Sequence, residues 1–135
     1  MAFSKLNVLH WHMVDTQSFP MQSKSSPKLW RGAYSPQERY TQKDVAAIVE
    51  YARLRGVRVM VEFDMPGHAA SWCAGYPQIC PSTTCLQPLN VATNATFDLI
   101  TGLHTTEQAK WRDEKDREAE QEWREGESLD DRRAR

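Results

Sequence analysis

Between residues 41 and 64 a helix runs straight into a strand, with no residues left over for a reversal between them. Thr41 stands where an N-cap belongs and Asp44 where its capping-box partner belongs, an acidic variant of the usual Glu or Gln. Val45, Ile48, Val49 and Ala52 then recur at i, i+3, i+4 and i+7 and form one apolar stripe. Arg53 and Arg55 oppose the negative end of the helix dipole, and Gly56 supplies a left-handed cap. From Val57 onward the apolar period shortens to that of a strand. Val57, Val59, Val61 and Phe63 share one face, and Arg58, Met60, Glu62 and Asp64 the other. Residues 5–14 (K-L-N-V-L-H-W-H-M-V) are an earlier apolar, β-prone run. Strand, helix and strand in this order predict a βαβ unit, with parallel strands and a right-handed crossover. The fold class is therefore α/β.

The second strand ends in chemistry. Its polar face carries carboxylates, Pro66 and Gly67 force a turn, and His68 follows. The C-terminal rim of an α/β barrel is built this way, although a salt-bridged edge strand with a loop histidine has the same pattern. His10 and His12 share one face of the first strand as an H-x-H metal pair would, but no third or fourth ligand follows at useful spacing. Asp15 has the opposite parity and joins them only if the strand bulges. Residues 16–40 are predicted to be a long, functional type of loop, punctuated by Pro20, Pro27, Gly32 and Pro36 and anchored by Phe19, Leu29, Trp30, Tyr34 and Tyr40. Residues 69–90 form a second loop of the same kind. Residues 93–103 suit a short helix with Phe97, Ile100 and Leu103 on its apolar stripe.

Charge divides the chain. Of its 35 charged residues, 19 fall in 105–135, where apolar periodicity is almost absent, so a boundary is expected near residue 104 with a helical or disordered tail beyond it. The net charge of −1 gives no nucleic-acid footprint. No apolar run has the length of a membrane span, and the N-terminus lacks a signal-type apolar core. It reads instead as the end of a helix, as if lying inside a larger domain. Cys73, Cys80 and Cys85 are an odd set, so at least one has no partner within the chain; Cys80 and Cys85 are one candidate bridge. Asn94-Ala95-Thr96 is a glycosylation sequon, meaningful in a secreted protein.

The run His10-Trp11-His12-Met13-Val14-Asp15-Thr16-Gln17-Ser18-Phe19-Pro20 resembles the H-W-H-x-x-D-x-Q-S-F-P motif of the β-N-acetylhexosaminidases, the family-20 glycoside hydrolases. Gly32-Ala33-Tyr34-Ser35, Tyr51-Ala52-Arg53-Leu54-Arg55-Gly56 and Glu62-Phe63-Asp64-Met65-Pro66-Gly67-His68 are similar to further landmarks of that family in the same order, and Ser71-Trp72 follows as it should. Asp15-Thr16-Gln17 and Gly75-Tyr76-Pro77 look most like the plant branch. The resemblance extends to about residue 103.

It implies a partial (β/α)8 TIM barrel: residues 1–104 would hold strand 2, helix 2 and strand 3 of the catalytic barrel, and 105–135 a charged tail outside the family. The implied reaction removes terminal β-linked N-acetylglucosamine or N-acetylgalactosamine from glycans or glycoconjugates. The substrate's acetamido oxygen is the nucleophile, with retention and without a metal or other cofactor. A secreted, vacuolar or lysosomal enzyme is implied, and a homodimer for the full-length form. Asp15 and His68 match the family's hydrogen-bonded support for its catalytic acid, and Asp64 a carboxylate at the rim of strand 3. Glu62 reads as structural, Trp72 as loop packing or a sugar contact, and Asn94 as the glycan acceptor. The acid itself belongs to an Asp-Glu pair in a G-G-D-E motif, and no such motif occurs in the 135 residues. Asp113-Glu114, between Arg112 and Lys115, lacks that context. The chain alone is therefore expected to be inactive. Two other readings are an H-x-H metal-dependent hydrolase on a similar barrel and a non-catalytic binding product that uses the charged tail.

Overall fold

The computed structural model describes residues 1–105. Its centre is a pair of parallel strands, β1 (Val8–Val14) and β2 (Arg58–Phe63), in register from Val8 opposite Arg58 to His12 opposite Glu62. Helix α1 (Gln42–Arg53) connects them and packs against β2, and a second helix, α2 (Asn94–Leu103), closes the described chain. The charged residues from 106 onward lie outside the described residues.

The local signals of α1 operate as expected. Thr41 accepts a hydrogen bond from the Asp44 backbone N–H, and the Asp44 carboxylate accepts one from the Thr41 N–H at 2.8 Å. Gly56 takes φ 68, and the Val57 N–H returns to the Ala52 carbonyl at 3.0 Å, so the chain enters β2 at once. Replacing Thr41 with alanine removes a bond to an otherwise orphaned helix N–H. It should cost about 1 kcal/mol, read as a lower urea midpoint with an unchanged slope. The first strand is shorter than the apolar run 5–14, because a 3-10 turn over Ala2–Ser4 ends with Lys5 at φ 56 and delays the strand to Val8.

The two long loops are folded against each other and carry much of the core. Phe19, Met21 and Leu29 from the first and Trp72 and Ile79 from the second are all fully buried. The Phe19 and Trp72 rings meet edge to face at 5.3 Å, and the Trp30 indole N–H donates to the Pro20 carbonyl at 2.7 Å. Tyr34 is not an anchor; it is 77% exposed. Tyr40 anchors by standing edge-on to Trp11.

Two further expectations are corrected. The disulfide joins Cys73 to Cys80, not Cys80 to Cys85. The 3-10 turn Pro77–Ile79 folds back on the turn Ala70–Ala74 and brings the two Cα atoms to 6.0 Å, a bridging distance. Cys85 instead sits in a turn closed by Ser82, exposed and unbridged. The buried stripe of α2 is Thr96, Leu99 and Leu103, and Phe97 is 55% exposed. The i, i+3, i+7 pattern is present, but a threonine occupies the position assigned to an aromatic ring.

Candidate functional site

Because β1 and β2 are parallel, their C-terminal ends lie side by side, Val14 opposite Phe63. Asp15 follows the first directly, Asp64 the second, and His68 comes four residues later. A register shift between His12 and Val14 lets the chain bulge just before Asp15. The bulge overrides strand parity and turns the Asp15 carboxylate onto the histidine face, where Oδ2 lies 3.1 Å from His12 Nε2. Asp15 Oδ1 accepts from the Thr16 backbone N–H at 2.6 Å and faces His68 Nδ1 at 2.9 Å. The Ser71 hydroxyl donates to the Asp15 carbonyl at 2.6 Å, which ties the second loop to the end of β1. The Leu89 N–H donates to the Pro66 carbonyl at 2.8 Å and secures the turn before His68.

His68 itself has φ 55, a left-handed backbone that L-residues seldom adopt outside constrained sites. Its side chain is 63% exposed, and with Nδ1 on Asp15 the other ring nitrogen makes no hydrogen bond among the described residues. The arrangement presents an oriented imidazole to the space above the strand ends.

The electrostatics follow from these bonds. The Thr16 N–H, then the imidazoles of His68 and His12, hold the Asp15 carboxyl well below the usual carboxylate range. The hydrogen bond to Asp15 raises the pKa of His68, with smaller help from the charge of Asp64. His12 is raised chiefly by Asp15 and then Glu62, and Glu62 is lowered chiefly by its hydrogen bond to His12. A raised histidine pKa strengthens the rim below the free-histidine value of 6.5, and that contribution is lost as pH rises through the folded-state value. The depressed Asp15 carboxyl contributes fully above the ordinary carboxylate value of 3.8, and that contribution is lost progressively as pH falls from there through the folded-state value. His68 is therefore expected to titrate above 6.5 by NMR and to move back toward it in Asp15→Asn.

Glu62 takes part more fully than its inward position on β2 implied: it faces His10 Nε2 at 2.5 Å and His12 Nδ1 at 3.3 Å. The parallel register, which sets His12 opposite Glu62, brings this about. His12, Glu62 and Asp64 each offer one ligand atom within 4.8 Å of the others, a group that holds one histidine and not the pair. His10 is not part of that group, and both ring nitrogens of His12 already face carboxylates. Trp72 is fully buried and packs edge to face on Phe19. Asn94 lies on the surface at the first residue of α2. Ser71 and the Thr16 backbone were not legible as site groups, since neither stands in a spacing that singles it out.

Residues 1–124 match the family model described as glycosyl hydrolase family 20, catalytic domain. The chain belongs to this family. Over 103 residues it is 56% identical to beta-hexosaminidase 1 of Arabidopsis thaliana, covering 76% of this chain and 19% of the relative. It is 47% identical to the human beta-hexosaminidase subunit beta over 109 residues, 75% of this chain and 20% of the relative. The chain thus spans about a fifth of the length of the curated relatives it matches. Among solved structures, the beta-N-acetylhexosaminidase of Bacteroides fragilis superposes with a TM-score of 0.71 at 26% identity, covering 82% of this chain and 24% of that one. The family-20 catalytic domain is a TIM barrel, and the described residues hold two parallel strands of this α/β architecture. The metal-hydrolase reading of His10 and His12 is not favoured by this family membership. No described helix is long and apolar enough to cross a membrane.

Proposed function

We propose that residues 1–104 serve as strand 2, helix 2 and strand 3 of a β-N-acetylhexosaminidase barrel acting on glycans that end in β-linked N-acetylglucosamine or N-acetylgalactosamine. In this reading Asp15 and His68 are positioning residues for a catalytic acid. One observation carries it: an Asp15 carboxylate bonded at 2.9 Å to an exposed, left-handed His68 at the joined ends of parallel strands. The carboxylate selects the imidazole tautomer and orientation and favours its protonated form. The free ring nitrogen can then hold a carboxylic acid in place over the sugar-binding space. Asp64 adds negative charge beside His68, and Asn94 stands away from the pair as the acceptor of a glycan. The compartment proposed is secretory, vacuolar or lysosomal, and the full-length enzyme a homodimer.

The reading is tested by exchange. The 135-residue chain has no G-G-D-E motif and should not hydrolyse a chromogenic β-N-acetylglucosaminide. Residues 1–104, placed into Arabidopsis beta-hexosaminidase 1 in place of its matching segment, should give a hybrid active to within about tenfold of the parent. Chelators should leave its rate unchanged. A folded but inert hybrid, or turnover by the 135-residue chain, overturns the proposal.

A further inference from the structure

One face of the strand pair carries more polar chemistry than Asp15 and His68 use. The parallel register sets His12 opposite Glu62, and His10, two residues earlier, opposite Met60. Residues two apart on a strand share a face, so both imidazoles come to one carboxylate. Glu62 Oε2 lies 2.5 Å from His10 Nε2 and 3.3 Å from His12 Nδ1. His12 Nε2 then meets Asp15 Oδ2 at 3.1 Å, and Asp15 Oδ1 meets His68 Nδ1 at 2.9 Å. Imidazole and carboxylate thus alternate from the middle of β1 to the rim, in the order His10, Glu62, His12, Asp15, His68.

Each link has a physical task. The Thr16 N–H and His68 both meet Oδ1 of Asp15, so among the described residues only His12 holds Oδ2. A carboxylate bonded through one oxygen can turn about its terminal torsion, which is broad; bonded through both it is fixed. His12 faces carboxylates with both ring nitrogens. A neutral ring would point a lone pair at one of them, so this placement favours the imidazolium, which carries a proton on each nitrogen. Glu62, fixed on the neighbouring strand, holds that ring from behind, and Asp64 stands within 4.8 Å of both. We propose that Glu62 and His12 are positioning residues that act through Asp15: Glu62 orients His12, His12 locks the Asp15 carboxylate, and the locked carboxylate aims His68. This rests on the role proposed above for Asp15 and His68 and extends it from the strand ends into the sheet.

The test uses the active hybrid and the 135-residue chain. In the hybrid, Glu62→Gln keeps the shape and removes the charge, and should lower kcat about tenfold with KM within about twofold of the parent. His12→Gln can still offer Asp15 a donor where Nε2 stood, whereas His12→Asn offers one only toward Glu62. The asparagine variant should therefore be slower than the glutamine variant by at least about fivefold. In the Asp15→Asn background, Glu62→Gln should change kcat by less than about twofold, because its route to His68 is already cut. In the 135-residue chain, Glu62→Gln should move the NMR resonance of His68 Nδ1, although no hydrogen bond joins the two residues among the described residues. An undiminished kcat in Glu62→Gln, a KM that rises with the loss, or equal rates in the two His12 variants would each overturn the proposal. So would the full tenfold effect on the Asp15→Asn background, or an unmoved His68 resonance. If Asp15→Asn and His68→Ala also keep full kcat, the role of that pair has failed. If they lose it and Glu62→Gln does not, only the extension through His12 and Glu62 falls.

Discussion

Asp15→Asn and His68→Ala, each made in the active hybrid, should lower kcat on the order of 10²-fold, with little change in KM. The split follows from where the pair sits. Asp15 and His68 bond to each other at 2.9 Å at the strand ends, and their proposed work is done on the acid that protonates the leaving oxygen. Asparagine nearly preserves the shape of Asp15 but cannot hold an imidazolium, and its amide can drive His68 into the other tautomer. On the same proposal, His68→Ala removes the anchor of the acid. Neither change touches the sugar, so ground-state binding should survive. The pH profile supplies a readout that loss of packing would not move: in Asp15→Asn the His68 limb should shift downward, because the largest influence raising His68 has gone. A wild-type profile with undiminished kcat in both variants would remove the pair from the mechanism.

Gly32→Ala and Gly75→Ala should be the most destabilising small substitutions in the described chain. A Cβ on Gly32 would lie 2.1 Å from the Ser71 carbonyl oxygen, and one on Gly75 would lie 2.2 Å from that of Lys28. Each glycine thus faces backbone of the opposite loop, so the turns Pro27–Gly32 and Ala70–Ala74 approach closely at two points. Backbone cannot rotate aside as a long side chain does. The loops would have to part, and Phe19 and Trp72, which meet between them, would lose their packing. Each variant should lose about 3 kcal/mol, a large share of the roughly 5–15 kcal/mol that holds an ordinary domain together. The double variant should lose less than the sum, because both changes open one interface. Gly67→Ala is the control: nothing lies within 4 Å of its added Cβ, so its urea midpoint should stay near the parent's. A midpoint for Gly32→Ala equal to that of Gly67→Ala would show that the loops are not pressed together in solution.

What was readable beforehand was local. The capping residues Thr41 and Asp44, the stripe from Val45 to Ala52 and the alternation from Val57 to Phe63 each encode an element through hydrogen-bond geometry and the period of an apolar face, and the structure has those elements in that order. The run His10 to Pro20 and the run Glu62 to His68 carried the family, since a string of specific residues needs no folding to be recognised. What only the tertiary structure decided was which side chains meet. Parity left Asp15 able to join the histidines only through a bulge, and the structure has that bulge, because one extra residue in a ladder turns the side chain after it over. The bridge went to Cys73, as two 3-10 turns folded together and left Cys85 outside, a distance no spacing rule expresses. Thr96 displaced Phe97 from the buried face of α2 because its hydroxyl had a carbonyl to bond there. Gly32 and Gly75, legible only as loop residues and parts of family landmarks, are positions where the backbone of one loop presses on that of the other. Periods and caps act within one element and are written in consecutive residues; register, bulges and close approaches arise between elements far apart in the chain, and only the packed structure brings those residues together.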